Sequence, residues 1–89
     1  MADTEDSVLS FPCEFPIKVM GRAEADFDAL VFAIVRRHAP GFELDAMRAR
    51  ASSGGNYVSV TVTVQAESQA QLDALYRELS GHERVLMVL

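Results

Sequence analysis

Few side chains in this 89-residue sequence could take part in covalent chemistry. Nucleophilic catalysis needs a nucleophile, a base within hydrogen-bond reach and a group that orients the base. The sequence offers two histidines, His38 and His82, and one cysteine, Cys13, which has no adjacent cation to favour its reactive thiolate. A single cysteine rules out an intrachain disulfide and a cysteine metal cage. We therefore expect a protein that is not an enzyme, with no catalytic residue, metal site or cofactor.

Binding is the chemistry that the remaining polar residues could support. Cations at alternating strand positions would share one sheet face, and loops held by a rigid scaffold collect binding groups. Such a patch is unusual in a chain with 8 basic and 13 acidic residues and a net charge of −5. It indicates either an anion or acidic-partner site, or a solvated face, and we give the solvated face the greater weight. The candidate ligand-binding residues are Lys18, Arg22, Arg48, Arg50, Ser53, Asn56 and Tyr57.

The first half of the chain predicts one strand and one helix. Apolar and polar residues alternate over Phe15–Met20, which is typical of a half-buried strand, and Gly21 is expected to end it. Acidic residues from Glu24 onward suit the positive end of a helix dipole. Apolar residues then recur at helical spacing as far as His38, and Pro40 with the following glycine ends the helix.

The second half predicts a hairpin, a helix and a final strand. A weakly alternating strand over about 44–51 leads through the Gly-containing turn 52–56 into a strand over Tyr57–Ala66. Every second residue of that strand is valine or alanine, so one face is buried. Ser68 and Gln71 form a capping box for the second helix, and the apolar segment Arg84–Leu89 forms the last strand.

The order strand, helix, strand, strand, helix, strand has a well-known solution in the α+β class. It is the ferredoxin-like βαββαβ plait, a four-stranded antiparallel sheet of order 4-1-3-2 with two helices on one face. We expect residues 11–89 to form this one domain and residues 1–10 to be a flexible acidic tail. The predicted core consists of Phe15, Ile17, Val19, Met47, Val58, Val60, Val62, Val64, Val85 and Met87 beneath Phe27, Leu30, Val31, Ile34, Leu72, Leu75 and Leu79.

The last strand should lie at an edge of the sheet, with Leu86 and Val88 pointing away from the helices. Exposed apolar edges invite pairing with another chain. We therefore expect a homodimer through the edge strand Arg84–Leu89 or through the uncovered sheet face. The alternative, given equal weight, is that the N-terminal segment covers this surface with Leu9, Phe11 and Pro12.

Two other functions of such a plait have less support. RNA-binding plaits carry two or three aromatic residues on the central strands, whereas here Tyr57 is available and Lys18 stands where a second ring is needed. The acidic net charge also disfavours nucleic acid. A small phosphatase would rest on Arg22 beside a single glycine, which is a weak phosphate signal.

Nothing in the sequence predicts a membrane protein. The N-terminal residues lack a basic region and an apolar stretch of signal-peptide length. The longest apolar runs, 29–35 and 85–89, are too short to span a bilayer. We expect a cytoplasmic protein.

Several strings of residues together resemble the small bacterial YbeD family over nearly the whole chain after Ser10. That resemblance implies a ferredoxin-like fold similar to ACT-type regulatory domains, which bind small effectors between paired domains. It implies no catalytic residue, and the family has a suggested association with lipoate metabolism. We therefore expect a non-enzymatic regulatory or adaptor domain that binds a small metabolite or a metabolic enzyme. The resemblance rests on Phe11-Pro12, Phe15–Gly21, Arg37–Gly41, Ser52-Ser53, Gly55–Tyr57, Ser59-Val60, Leu75-Tyr76, Leu79 and Val85–Leu89.

Overall fold

A computed structural model describes residues 10–89 of the chain. The predicted flexible tail therefore lies outside the described residues, apart from Ser10. Four strands form one antiparallel sheet in the order β2-β3-β1-β4, and the two helices cover one face of it. The predicted ferredoxin-like plait is confirmed. Its elements are β1 (Cys13–Arg22), α1 (Phe27–His38), β2 (Met47–Ala51), β3 (Tyr57–Ala66), α2 (Gln69–Gly81) and β4 (Val85–Val88).

The two central strands provide the floor of the core. β1 and β3 pair along all ten of their positions, from Cys13 opposite Ala66 to Arg22 opposite Tyr57. Because directly opposed residues share a face, the valines of β3 point toward the helices together with Phe15, Ile17 and Val19 of β1. Burial follows this pattern, with the fully buried side chains of the sheet being Ile17, Val19, Val60, Val62, Val64 and Ala66.

The helices close the core from above with one apolar stripe each. The predicted stripe residues are buried except Leu30, which is half-buried, and the core also takes in Val35, Ala39 and Phe42. Phe42 lies beyond the end of α1, where its ring contacts that of Phe32 at a centroid distance of 5.6 Å. A loop phenylalanine carries no periodicity, so the sequence analysis missed it.

Gln71 joins the start of α2 to the end of α1. The Ser68 hydroxyl accepts a hydrogen bond from the Gln71 backbone N–H at 3.1 Å, as the capping box predicts. The Gln71 side chain accepts a bond from the Glu67 N–H at 2.6 Å and donates one to the His38 carbonyl at 2.8 Å. The cap therefore also holds the two helices together.

β1 and β2 differ most from their predicted bounds. β1 continues through Gly21 to Arg22, because Gly21 stays paired with Val58 instead of ending the strand. β2 is shorter than predicted, because Leu44–Ala46 forms a turn of 3₁₀ helix before the strand begins at Met47. Met47 is half-buried, whereas the other residues of β2 are exposed at the edge of the sheet.

The facing of β4 was predicted wrongly. Val88 lies opposite the buried Val19, so it points toward the helices, and Met87 lies opposite Met20 on the other face. The cause is a β-bulge: one step along β1, from Met20 to Gly21, corresponds to two steps along β4, with Leu86 as the extra residue. An inserted residue inverts the alternation, so a count along the strand assigns Met87 and Val88 to the wrong faces.

Candidate functional site

The sheet face away from the helices, called here the open face, carries most of the predicted binding residues. Cross-strand register places Lys18, Thr61 and Arg48 side by side in one row across three strands. The next row contains Arg50, Ser59, Met20 and Met87. The residues of the whole open face are Glu14, Pro16, Lys18, Met20 and Arg22 of β1, Arg48 and Arg50 of β2, Tyr57, Ser59, Thr61, Thr63 and Gln65 of β3, and Met87 of β4.

Four of the seven predicted residues surround one depression on the open face, which we name the basic depression. It has a volume of about 330 Å³. Lys18 on β1 and Arg50 on β2 approach it from the two sides of β3. Their strands are two strand spacings apart, or about 10 Å. Tyr57 is 45% exposed, so its ring is accessible there. The lining consists of Lys18, Met20, Arg50, Ala51, Ser52, Ser53, Tyr57, Val58 and Ser59.

The hairpin turn fixes the loop side of the basic depression. Gly55 has a φ of +75°, the left-handed conformation that tight hairpin turns commonly require of a glycine. The Tyr57 N–H donates to the Ser52 hydroxyl at 3.2 Å, and the Ser52 N–H donates to the Tyr57 carbonyl at 2.8 Å. These bonds hold Ser53 and Tyr57 at one end of the depression.

The other three predicted residues lie outside this lining. Arg48 lies in the same row as Lys18, but it lines a neighbouring depression. Arg22 is on strand β1 opposite Tyr57, not in a turn, and it lines a small cavity with Glu24 and other residues. Arg22 is therefore the last residue of a strand and not part of the loop that precedes α1. Asn56 accepts a backbone hydrogen bond from the Ala23 N–H at 3.0 Å.

An acidic region at the other end of the open face was not predicted. Glu14 and Asp45 both line a depression of about 350 Å³ together with Arg48, Thr61 and Thr63. We name it the Glu14–Asp45 depression. Glu14 could have been found from the sequence, since it lies four residues before Lys18 on the same strand face. Asp45 could not, because the 3₁₀ turn that places it carries no period-2 signal.

The histidines have structural contacts. His38 Nε2 lies 2.6 Å from Glu78 Oε1, and Glu78 also forms an ion pair with Arg37, so these contacts join α1 to α2. His82 is half-buried, and its Nδ1 accepts a hydrogen bond from the Arg84 N–H at 3.1 Å. Cys13 is a half-buried free thiol.

Within residues 10–89, no group of three or more histidine, cysteine or carboxylate residues is arranged to hold a metal ion. Neither α1 nor α2 has the length and apolar character needed to span a membrane.

Bacterial proteins similar to this chain share nearly its full length. A UPF0250 protein of Paraburkholderia phymatum is 44% identical over 89 residues, which is 100% of both chains. UPF0250 protein NE1487 of Nitrosomonas europaea is 44% identical over 86 residues, covering 97% of this chain and 99% of its own. A UPF0250 protein of Neisseria gonorrhoeae is 45% identical over 87 residues, with 98% and 96% covered.

A solved structure shares the fold. The solution structure of protein HP0495 from H. pylori superposes with a TM-score of 0.72 over 98% of this chain and 91% of its own, at 12% sequence identity. The resemblance to YbeD is confirmed, because YbeD belongs to the same UPF0250 family as the relatives above. The family described as "Protein of unknown function (DUF493)" matches residues 6–89, and this chain therefore belongs to it.

Proposed function

We propose that this protein is a non-enzymatic, ACT-like regulatory domain that binds a small carboxylate in its basic depression. The observation that carries the proposal is the approach of Lys18 and Arg50 to one depression from both sides of β3, with Tyr57 beside them. Two cations that flank a partly enclosed volume favour a carboxylate or phosphate over a neutral ligand. No ion pair of Lys18 or Arg50 is recorded among residues 10–89.

The lining narrows the ligand class further. The side chain of Met20 and the ring of Tyr57 add apolar surface next to the cations. Ligand pockets of this size commonly combine apolar walls with a few polar groups that fix orientation. A carboxylate on a short apolar chain matches both parts of the lining. Octanoate and lipoate have this chemistry, and the lipoate association suggested by the family resemblance makes them the first ligands to test.

A ligand titration with matched variants tests the proposal. Octanoate or lipoate should raise the melting temperature of the full chain and shift the amide resonances of Lys18, Ser53 and Tyr57. Lys18→Ala and Arg50→Ala should each lose most of both effects. Arg77→Ala removes an exposed cation from α2, on the helix side of the sheet, and should bind like the wild type.

Three outcomes would overturn the proposal. Resonance shifts that map away from the basic depression would refute the site. Binding unaffected by both Lys18→Ala and Arg50→Ala would refute the role of the cations. Single-stranded RNA that binds at about 0.15 M salt and is lost in Tyr57→Ala would favour the nucleic-acid alternative, since base stacking needs that ring.

A further inference from the structure

We propose that the open face is also the contact surface of a homodimer, in which two copies stack their sheets with strands antiparallel. The two copies are related by a half-turn about an axis that lies between the sheets, perpendicular to the strands, above Pro16. This inference rests on the arrangement of charges along the open face and does not depend on the ligand proposed above.

Glu14 and Lys18 make β1 complementary to a reversed copy of itself. Both residues are exposed on the open face, four positions apart and equally far from Pro16. At about 3.4 Å per residue their separation is about 14 Å. The half-turn exchanges positions equidistant from Pro16. Glu14 of each copy therefore lies over Lys18 of the other.

Strand β2, on the far side of β3, and the 3₁₀ turn before it repeat the same complementarity. Arg48 lies in the row of Lys18, across Thr61, while Asp45 lines a depression together with Glu14. The half-turn therefore also brings Arg48 of one copy over the Glu14–Asp45 depression of the other. A half-turn about the strand direction would instead place Glu14 over Glu14, which is repulsive. The charges thus select one of the two symmetric arrangements.

The residues between the charged positions allow the sheets to approach. Pro16 and Thr63, which lie opposite each other, are short side chains in the middle of the overlap. Stacked sheets lie about 10 Å apart, a gap that opposed Glu and Lys side chains can bridge and that short residues leave open. The open face therefore has long charged residues at the ends of the overlap and short uncharged residues at its centre.

Pairing through the outer edge of the sheet, the other mode that the sequence suggested, fits less well. The bulge at Leu86 interrupts the hydrogen-bonding groups of β4 along that edge. Lys18 exchanges both backbone hydrogen bonds with Leu89, at the end of β4. The backbone groups of Pro16, two residues earlier on β1, point to the same side of β1 as those of Lys18. Among residues 10–89 no strand pairs with β1 on that side at Pro16, and proline supplies no N–H for such pairing. Bulges and prolines are features that block edge pairing.

The size of the overlap predicts a weak dimer. About seven residues of β1 and three to four strands overlap, which gives a patch of roughly 20 Å by 15 Å. This is well below the roughly 800 Å² per partner of a standard stable interface. We therefore expect a dimer that dissociates on dilution and whose affinity depends strongly on the charged contacts.

Sedimentation equilibrium of the full chain, with charge-reversed variants, tests this dimer. In about 0.1 M NaCl the wild type should associate reversibly up to millimolar concentration. Glu14→Lys and Lys18→Glu should each weaken association about tenfold or more, because each places like charges opposite one another twice. The double variant E14K/K18E should restore it, since the pairs are complementary again. Asp73→Lys makes the same change in net charge as Glu14→Lys, but on the exposed side of α2, and should associate like the wild type.

Salt and an edge variant supply the remaining evidence. Raising NaCl to about 1 M shortens the screening length from about 10 Å to about 3 Å and should dissociate the dimer. A wild type that is monomeric at millimolar concentration would overturn the inference. So would association that survives Glu14→Lys, or a double variant that fails to recover. Association lost in Leu86→Asp but retained in Glu14→Lys would assign the dimer to the edge instead.

Discussion

The ring of Phe27, the first residue of α1, packs directly on the backbone of Gly21 in β1. A Cβ atom built on Gly21 would lie 2.5 Å from Cζ of that ring and 2.8 Å from the carbonyl oxygen of Arg84. Both separations are shorter than any real contact of a Cβ atom. Glycine is therefore required here for close approach, and its φ is not positive.

We predict that Gly21→Ala lowers the free energy of unfolding by about 2 kcal/mol, because an extra methyl group in a packed core forces its neighbours to move. The measurement is urea unfolding followed by circular dichroism. Gly81→Ala is the matched control, because nothing lies within 4 Å of a Cβ at that position at the end of α2. It should be neutral or slightly stabilising. Equal effects of the two substitutions would contradict the contact with Phe27.

The bulge in β4 predicts opposite responses at adjacent residues. Val88 is half-buried against the core, whereas Met87 is 49% exposed on the open face. Val88→Ala should cost about 1 kcal/mol of stability from lost apolar burial, and Met87→Ala should stay within about 0.5 kcal/mol of the wild type. Thermal unfolding at low protein concentration measures both. A larger loss of stability from Met87→Ala than from Val88→Ala would contradict the bulge and support the facing of β4 predicted from the sequence.

The sequence was sufficient wherever a regular period continued without interruption. The alternation of β3 and the stripes of α1 and α2 predicted the helix-covered face and most of the buried residues, and the order of the elements predicted the order of strands in the sheet. It was not sufficient at β4, because a bulge depends on how two strands pair and leaves no mark in one strand alone. The prediction that Gly21 ends β1 was also wrong, because this glycine lies within the strand and allows the Phe27 ring to pack against it.

The candidate site was predictable to a similar extent. Period-2 spacing placed Lys18 and Arg50 on one face, and the turn chemistry placed Ser53 and Tyr57 near them. The position of Arg22 was predicted wrongly because β1 continues beyond the segment in which apolar and polar residues alternate. The Glu14–Asp45 depression depends on the 3₁₀ turn Leu44–Ala46, which carries no period-2 signal in the sequence.

Gln71 provides a test of how the two helices are joined. Its side chain bonds both the Glu67 N–H and the His38 carbonyl. Gln71→Ala should lower the free energy of unfolding by about 1–2 kcal/mol, because two backbone groups lose a partner. Gln65→Ala, at an exposed position of β3, should have no comparable effect. Urea unfolding compares the two variants, and equal stabilities would refute the bridging role of Gln71.

Asp26 should make stability depend on pH in acid. Arg84 binds both Asp26 carboxylate oxygens, at 2.6 and 3.3 Å, and this hydrogen bonding is the main cause that lowers the Asp26 pKa below its usual 3.8. A lowered folded-state pKa means that the stabilisation is present above the unfolded-state pKa. It is lost as the pH falls through the folded-state value.

We therefore predict that Asp26→Asn lowers the melting temperature slightly at pH 7, and that this difference disappears well below pH 3.8. Asp45→Asn is the control, since no ion pair of Asp45 is recorded among residues 10–89. The effect of Asp26→Asn should be small because the carboxylate is exposed. A difference from the wild type that persists unchanged in acid would show that the Asp26 charge is not its source.

The proposed ligand and the proposed dimer use the same cation, so each should oppose the other. A carboxylate ligand at Lys18 occupies the position that Glu14 of the second copy requires. Octanoate should therefore lower the dimer fraction in sedimentation, more than chloride does at equal ionic strength. By linkage, the ligand should bind more weakly as protein concentration rises. The E14K variant should bind octanoate with no dependence on protein concentration, because its dimer is already lost. If octanoate binds the wild type through Lys18 and leaves the dimer fraction unchanged, the two sites are separate and the face-to-face geometry is wrong.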